Sequence, residues 1–135
     1  MKKLLFAACL LVFAATAATA QDSSNPVPTA KFNETKHNFG TIPQGTPVTT
    51  IFKFKNTGTT PLVIESAVAS CGCTTPEYPK TPVLAGKTGE IQVTYNAAAT
   101  GPINKTVTVK FVQSQRPVML WITGNVADKS ATTKN

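Results

Sequence analysis

The sequence predicts an all-β domain built as an antiparallel sandwich of two sheets, and three observations carry that prediction. Apolar residues alternate with a period of two rather than 3.6 through most of the chain. Turn residues cut the alternating stretches at short intervals. Past the N-terminus, no stretch repeats apolar residues at i, i+3, i+4 and i+7 over three turns. The chain has 135 residues, 41% of them hydrophobic, with 10 prolines and 8 glycines. That length suits one domain and excludes a large enzyme or a solenoid. The apolar share is enough for a core, and proline and glycine supply the turns.

Taken in order, the chain opens on an export signal. Lys2 and Lys3 precede an apolar run from Leu4 to Ala15, and Ala18-Thr19-Ala20 offers a small-residue cleavage site. This predicts a signal peptide over residues 1–20, cleaved before Gln21. A membrane anchor would need about 20 apolar residues, and Thr16 and Thr19 interrupt this run. Lipoprotein-type processing before Cys9 would leave only Leu4 to Ala8 as the apolar segment, shorter than the roughly 7 residues required. Loss of Lys2 and Lys3 lowers the formal net charge from +7 to +5. Basic proteins often bind nucleic acid, but export makes that partner unexpected, and the lysines are scattered. They read as a solvated surface first, and as an attraction to anionic glycans or lipid head groups second. No transmembrane segment is expected in the mature chain.

Residues 21–29 form a polar leader with Pro26 and Pro28, extended in character. The folded unit is expected over residues 30–126, and residues 127–135 as a flexible tail. Within the unit, the first strand is expected from Lys31 to Phe39. Val48 to Asn56 sets Phe52 and Phe54 against Lys53 and Lys55, and Pro61 to Val68 puts Leu62 and Ile64 together. A short run follows at Pro82-Val83-Leu84. Glu90 to Asn96 alternates Ile91, Val93 and Tyr95 with polar residues. Asn104 to Val112 does the same with Val107, Val109 and Phe111. Pro117 to Val126 puts Val118, Leu120 and Ile122 on one side and Met119, Trp121 and Thr123 on the other. Turns fall at Gln44-Gly45, Asn56-Thr57-Gly58, Ala85-Gly86-Lys87 and Thr100-Gly101-Pro102. Seven or eight strands at this spacing point to an immunoglobulin-like antiparallel β-sandwich, with a small closed barrel as the alternative. The inter-sheet disulfide of antibody domains is absent, because Cys71 and Cys73 are the only cysteines beyond Cys9.

Those two cysteines are the most chemically pointed element, at the head of a proline-studded loop from Thr74 to Pro82. Three readings stand. An oxidising compartment favours a Cys71–Cys73 disulfide, with Gly72 letting the backbone bend. Two thiolates also suit Cu(I), with His37 and Met119 as conceivable further ligands, whereas a closed zinc site needs four. A redox dithiol is the third reading, although the usual arrangement is Cys-x-x-Cys at a helix start. The sole histidine, His37, shares the parity of Phe39 and reads as a packing residue rather than as the base of a Cys-His hydrolase. No Ser-His-Asp set, carboxylate pair or phosphate loop is visible, so neither enzymatic activity nor a cofactor is expected. If Leu120 and Ile122 face the core, Trp121 and Met119 face out as a candidate partner-binding patch, unless a bulge or a covering loop intervenes. Tyr78 is a further candidate contact. The sequons at Asn33 and Asn104 matter only in a cell with N-glycosylation.

Several segments together carry a resemblance. They are His37-Asn38-Phe39-Gly40-Thr41-Ile42, Phe52-Lys53-Phe54-Lys55-Asn56-Thr57-Gly58, Pro61-Leu62-Val63-Ile64, Ser70-Cys71-Gly72-Cys73-Thr74, Gly101 to Val109 and Leu120-Trp121-Ile122-Thr123-Gly124. From about Phe32 to Val126 the chain resembles domain-of-unknown-function family 1573, a family of exported bacterial proteins. Its fold is similar to the immunoglobulin-like modules of sperm proteins and cilium-associated proteins. The resemblance implies a Gram-negative host, with the protein in the periplasm or at the cell surface, and implies no established activity. Ala85 departs from the family's usual proline before the glycine, which is expected only to loosen a turn. The expected function is a non-enzymatic exported binding or structural module. Its loops or an exposed sheet edge would contact an unknown protein or surface glycan. The alternative is a periplasmic thiol-redox or Cu(I)-binding protein acting through Cys71-Gly72-Cys73.

Overall fold

The computed structural model describes residues 29–130. The expected signal peptide, most of the leader and the end of the tail lie outside those residues. Eight strands form two four-stranded sheets. They are β1 (Ala30–Phe32), β2 (Lys36–Pro43), β3 (Val48–Asn56), β4 (Ile64–Ala69), β5 (Thr74–Glu77), β6 (Thr88–Tyr95), β7 (Gly101–Phe111) and β8 (Val118–Ala127). The first sheet has the order β1-β3-β6-β5 and the second β2-β8-β7-β4. In immunoglobulin lettering these are A-B-E-D and A′-G-F-C, the two-sheet arrangement of that fold.

The alternation produces the core directly. Phe52, Phe54, Ile91, Val93 and Tyr95 enter it from the first sheet, and Val107, Val109, Phe111, Leu120 and Ile122 from the second. Each sits at the strand parity that its polar neighbours leave free. The Phe54 ring lies 5.2 Å from Phe32 and 5.6 Å from Phe111, so three aromatic residues from three strands span the gap between the sheets. A Cβ at Gly89, opposite Phe54 in the β3–β6 register, would collide with that ring. The glycine makes room for the Phe54 ring.

Four expectations are corrected. The run from Lys31 to Phe39 is two strands rather than one: β1 pairs β3 in the first sheet, and β2 crosses to pair β8 in the second. The sheets are not wholly antiparallel, because β2 runs parallel to β8. Leu62 and Val83 meet only as an isolated bridge, so neither Pro61–Val63 nor Pro82–Leu84 is a strand. Finally, the segment after Cys73 is not loop throughout. Thr74–Glu77 pairs with β6 as an edge strand, Pro76 opposite Val93. The β-branched threonines favour extension, and an edge position tolerates a residue without an N–H.

Gly124 and Gly40 mark the close approach of β8 and β2. Gly124 has φ +154, and a Cβ there would fall 2.7 Å from the Gly40 carbonyl oxygen. The β2–β8 register shifts between Asn38 and Thr41, and Asn38 Oδ1 accepts the Gly40 N–H at 2.8 Å across that bulge.

Candidate functional site

The outer face of the second sheet holds Met119 and Trp121 at the outward parity of β8, while Ile51 is exposed on the outer face of the first sheet. Leu120 and Ile122 are 1% exposed, whereas Met119 is 44% and Trp121 38% exposed. The β7–β8 register is unbroken from Gly101↔Val126 to Val109↔Val118, so no bulge reverses Trp121. Trp121 stands between Lys36 on β2 and Thr106 on β7. Its N–H donates to the Thr35 carbonyl at 2.8 Å, which fixes the strand beneath the ring. Met119 pairs Thr108, which in turn pairs Val68 on β4, itself 61% exposed. The result is a flat strip of Val68, Met119 and Trp121 with threonines between. Val68 escaped the sequence reading because it shares the parity of the buried Leu62 and Ile64, and the register shift between Ile64 and Ser66 turns it outward.

The edges of the two sheets are poor places for another strand to add. β1 and β5 are 3 and 4 residues long, and β5 carries Pro76. β4 is shifted at Glu65, and β2 at Gly40. Short, bulged and proline-bearing edges discourage pairing, so the face is the better contact surface.

Cys71 and Cys73 lie where the chain crosses from β4 in the second sheet to β5 in the first. Their sulfurs face each other at bonding distance, with Cα atoms 5.3 Å apart. Both ends of the crossing are anchored. The Ser70 N–H donates to the Thr106 carbonyl at 2.9 Å, and the Asn96 N–H donates to the Cys73 carbonyl at 3.0 Å. The Thr74 hydroxyl, 4% exposed as a residue, lies 3.7 Å from Cys71 Sγ and 3.8 Å from Cys73 Sγ. Gly72 is not in the left-handed region, and a Cβ there would meet nothing within 4 Å. The bend therefore does not rest on a glycine-only conformation.

His37 and Met119 are not brought to the cysteines. His37 sits on β2, three strand spacings from β4, or about 14 Å at the usual separation. Its ring packs edge-on against Phe39 at 4.8 Å, and its Nδ1 lies 3.5 Å from the Glu34 carboxylate. Among the described residues, no three His, Cys, Asp or Glu side chains gather as a metal site.

Tyr78 lies elsewhere, on the first sheet. It lines a groove of about 530 Å³ between the outer face of β3 and β6 and the segment that follows β5. Ile51, Pro79, Pro82 and Leu84 line the groove with it. The Lys80 ammonium covers the Tyr78 ring at 3.5 Å, a cation–π contact. The three candidate contact residues are thus not brought together: Trp121 and Met119 stand on the outer face of the second sheet, whereas Tyr78 lines the groove beside the first and packs partly against the core. Sequence reading could not foresee the groove, because it depends on Thr74–Glu77 being a strand.

The fold and its sheet order define an immunoglobulin-like sandwich with Trp121 on an outward face. The chain belongs to the family described as Protein of unknown function (DUF1573), whose profile it matches over residues 30–126. No curated protein matches it. Among solved structures, it is similar to a protein of unknown function from Porphyromonas gingivalis, with a TM-score of 0.63 and 12% identity over 78% of this chain and 51% of that one. It is also similar to the ASH/PapD-like domain 7 of human CEP192, with a TM-score of 0.61 and 10% identity over 84% of this chain and 96% of that domain. A third similar structure is the secreted serine protease VesC of Vibrio cholerae, with a TM-score of 0.57 and 11% identity. That match covers 72% of this chain and 23% of the protease. The chain therefore spans about half of the first of these proteins and under a quarter of the third. At these identities the likeness concerns the fold alone. Among the described residues, no helix is long and apolar enough to cross a membrane.

Proposed function

We propose that this protein is an exported, non-enzymatic binding module that meets its partner through the outer face of β2, β8, β7 and β4. The observation that carries this reading is the strip of Val68, Met119 and Trp121, 61%, 44% and 38% exposed on one face. Large apolar side chains grouped on one exposed face mark interaction sites more often than scattered ones do, and tryptophan is enriched among residues that dominate binding. Export, to the periplasm or surface of a Gram-negative cell, is supported by the charged, apolar and small-residue order of residues 1–20.

A photo-crosslinker at Met119 tests the reading in the protein's own host. A discrete adduct that disappears with Trp121→Ala is expected. Trp121 is 38% exposed and keeps part of its ring against the sheet, so the substitution should cost about 1–2 kcal/mol and leave the domain folded. An adduct that persists unchanged in the Trp121→Ala protein would remove this face from the function.

Within this reading, Cys71 and Cys73 form a structural disulfide that holds the crossing between sheets. Intact mass after alkylation without reductant should show no added alkyl group, and two after reduction. Replacing both by serine should lower stability by no more than about 2 kcal/mol, because the bridge closes a minimal loop. Urea unfolding measures that difference. Two reactive thiols in protein taken from the exported compartment would favour a redox or Cu(I) role for the loop instead.

A further inference from the structure

We infer that the partner of the Trp121 face is an anionic polysaccharide; the inference rests on the binding reading above and gives that partner a chemistry. The first argument is the neighbourhood of the ring. Trp121 lies in a row with Lys36 and Thr106, and the Ser70 hydroxyl accepts the Thr106 N–H at 3.2 Å at the end of that row. The next row is Asn38, Thr123 and Asn104. One exposed indole therefore lies on a flat sheet among hydroxyl and amide groups. A pyranose presents the matching surface, an apolar face of C–H bonds rimmed by hydroxyls. The indole stacks on the C–H face, and the polar side chains bond to the rim.

The second argument is charge. The outer face of the sheet carries Lys36 and Lys110, and β2, β7 and β8 contain no acidic residue; Lys105, opposite Ile122, lies at the inward parity. The one carboxylate in the sheet, Glu65, is held by Lys110 at 3.4 Å. A second copy docked face to face would offer Lys36 no free acid, because Glu65 is already paired, so self-association does not suit this surface. A ligand carrying carboxylate, phosphate or sulfate groups does, and it would be drawn in through Lys36 beside the ring. A protein contact of this size would centre on a water-excluding apolar core, whereas Trp121 has Met119 on one side along β8 and Thr123, Lys36 and Thr106 on the others.

Affinity electrophoresis and calorimetry on the mature protein test this. The probes are polygalacturonate and dextran sulfate, with neutral dextran and poly-L-glutamate as controls. At least one anionic polysaccharide should bind ten-fold or more tightly than both controls. Trp121→Ala should weaken that binding at least ten-fold. Lys36→Gln, on an exposed side chain, should weaken it several-fold and flatten its salt dependence, with unchanged circular dichroism. The inference is overturned if neither anionic polysaccharide binds, if poly-L-glutamate binds equally, or if folded Trp121→Ala binds like the parent. If the Met119 adduct is then a protein and still needs Trp121, the binding reading stands and only the polysaccharide falls. If that adduct is also independent of Trp121, both fall.

Discussion

Phe54→Ala should destabilise the domain by about 3–5 kcal/mol, the range for emptying a fully buried phenylalanine site. Phe54 is 0% exposed and stacks against Phe32 and Phe111, so its ring is the contact through which β1, β3 and β7 meet. Truncation removes those contacts and leaves a cavity that both sheets would have to close. Gly89 cannot fill it, having no side chain, and the backbone of β6 is held in register with β3 over eight residue pairs. For a domain near 100 residues, each kcal/mol shifts the melting point by about 4–8 °C, so a fall of roughly 15 °C or more is expected. Urea unfolding should show the midpoint displaced with little change in slope. A loss below about 1 kcal/mol would mean that the sheets close over the site, and that the aromatic contact is not central to the core.

Asn56→Ala should cost about 3 kcal/mol by a different mechanism, the loss of partners for buried polar groups. Asn56 is 0% exposed at the end of β3. Its Nδ2 donates to the Thr60 carbonyl at 2.8 Å and to the Val83 carbonyl at 2.9 Å. Its Oδ1 accepts the Gly58 N–H at 2.9 Å. Its backbone separately accepts from Gly86 at 2.8 Å and donates to Lys87 at 2.9 Å. One amide side chain therefore ties the Thr57–Thr60 turn to the segment leading into β6. Alanine leaves two carbonyls and an N–H without that partner. Asn56→Asp should be at least as damaging, since it keeps the acceptor for Gly58 but points a second oxygen at two carbonyls. Hydrogen exchange at Gly58 separates the two variants, rising with alanine and staying slower with aspartate. If aspartate were tolerated better than alanine, the donor role assigned to Nδ2 would be wrong.

The two residues differ in how openly the sequence displays them. Phe54 announces itself by alternation with Lys53 and Lys55, because a strand with one wet face must put every second residue inside. Asn56 continues that parity and is buried too, but a polar residue before Thr57-Gly58 reads as a turn signal. Its burial becomes intelligible only once its three partners, none of them on β3, are in place. The candidate site divides the same way. Trp121 and Met119 were legible as outward residues from the alternation of β8. Val68 was obscured by the bulge at Glu65, which reverses the parity it shares with the buried Leu62 and Ile64.

The local alternation of apolar and polar residues was sufficient to determine an all-β fold and which residues of the long strands enter its core, the number and spacing of strands favoured a sandwich over a small barrel, and Cys71 and Cys73 are close enough in sequence to meet. Those are short-range matters, set by the two-residue repeat of an extended chain. The split of Lys31 to Phe39 between two sheets, the parallel pairing of β2 with β8 and the conversion of Thr74–Glu77 into an edge strand were decided by tertiary structure. So was the gathering of Val68, Trp121 and Lys36 on one face. Each depends on which strand lies beside which, and strand pairing joins residues far apart in the chain, where period and turn chemistry carry no information.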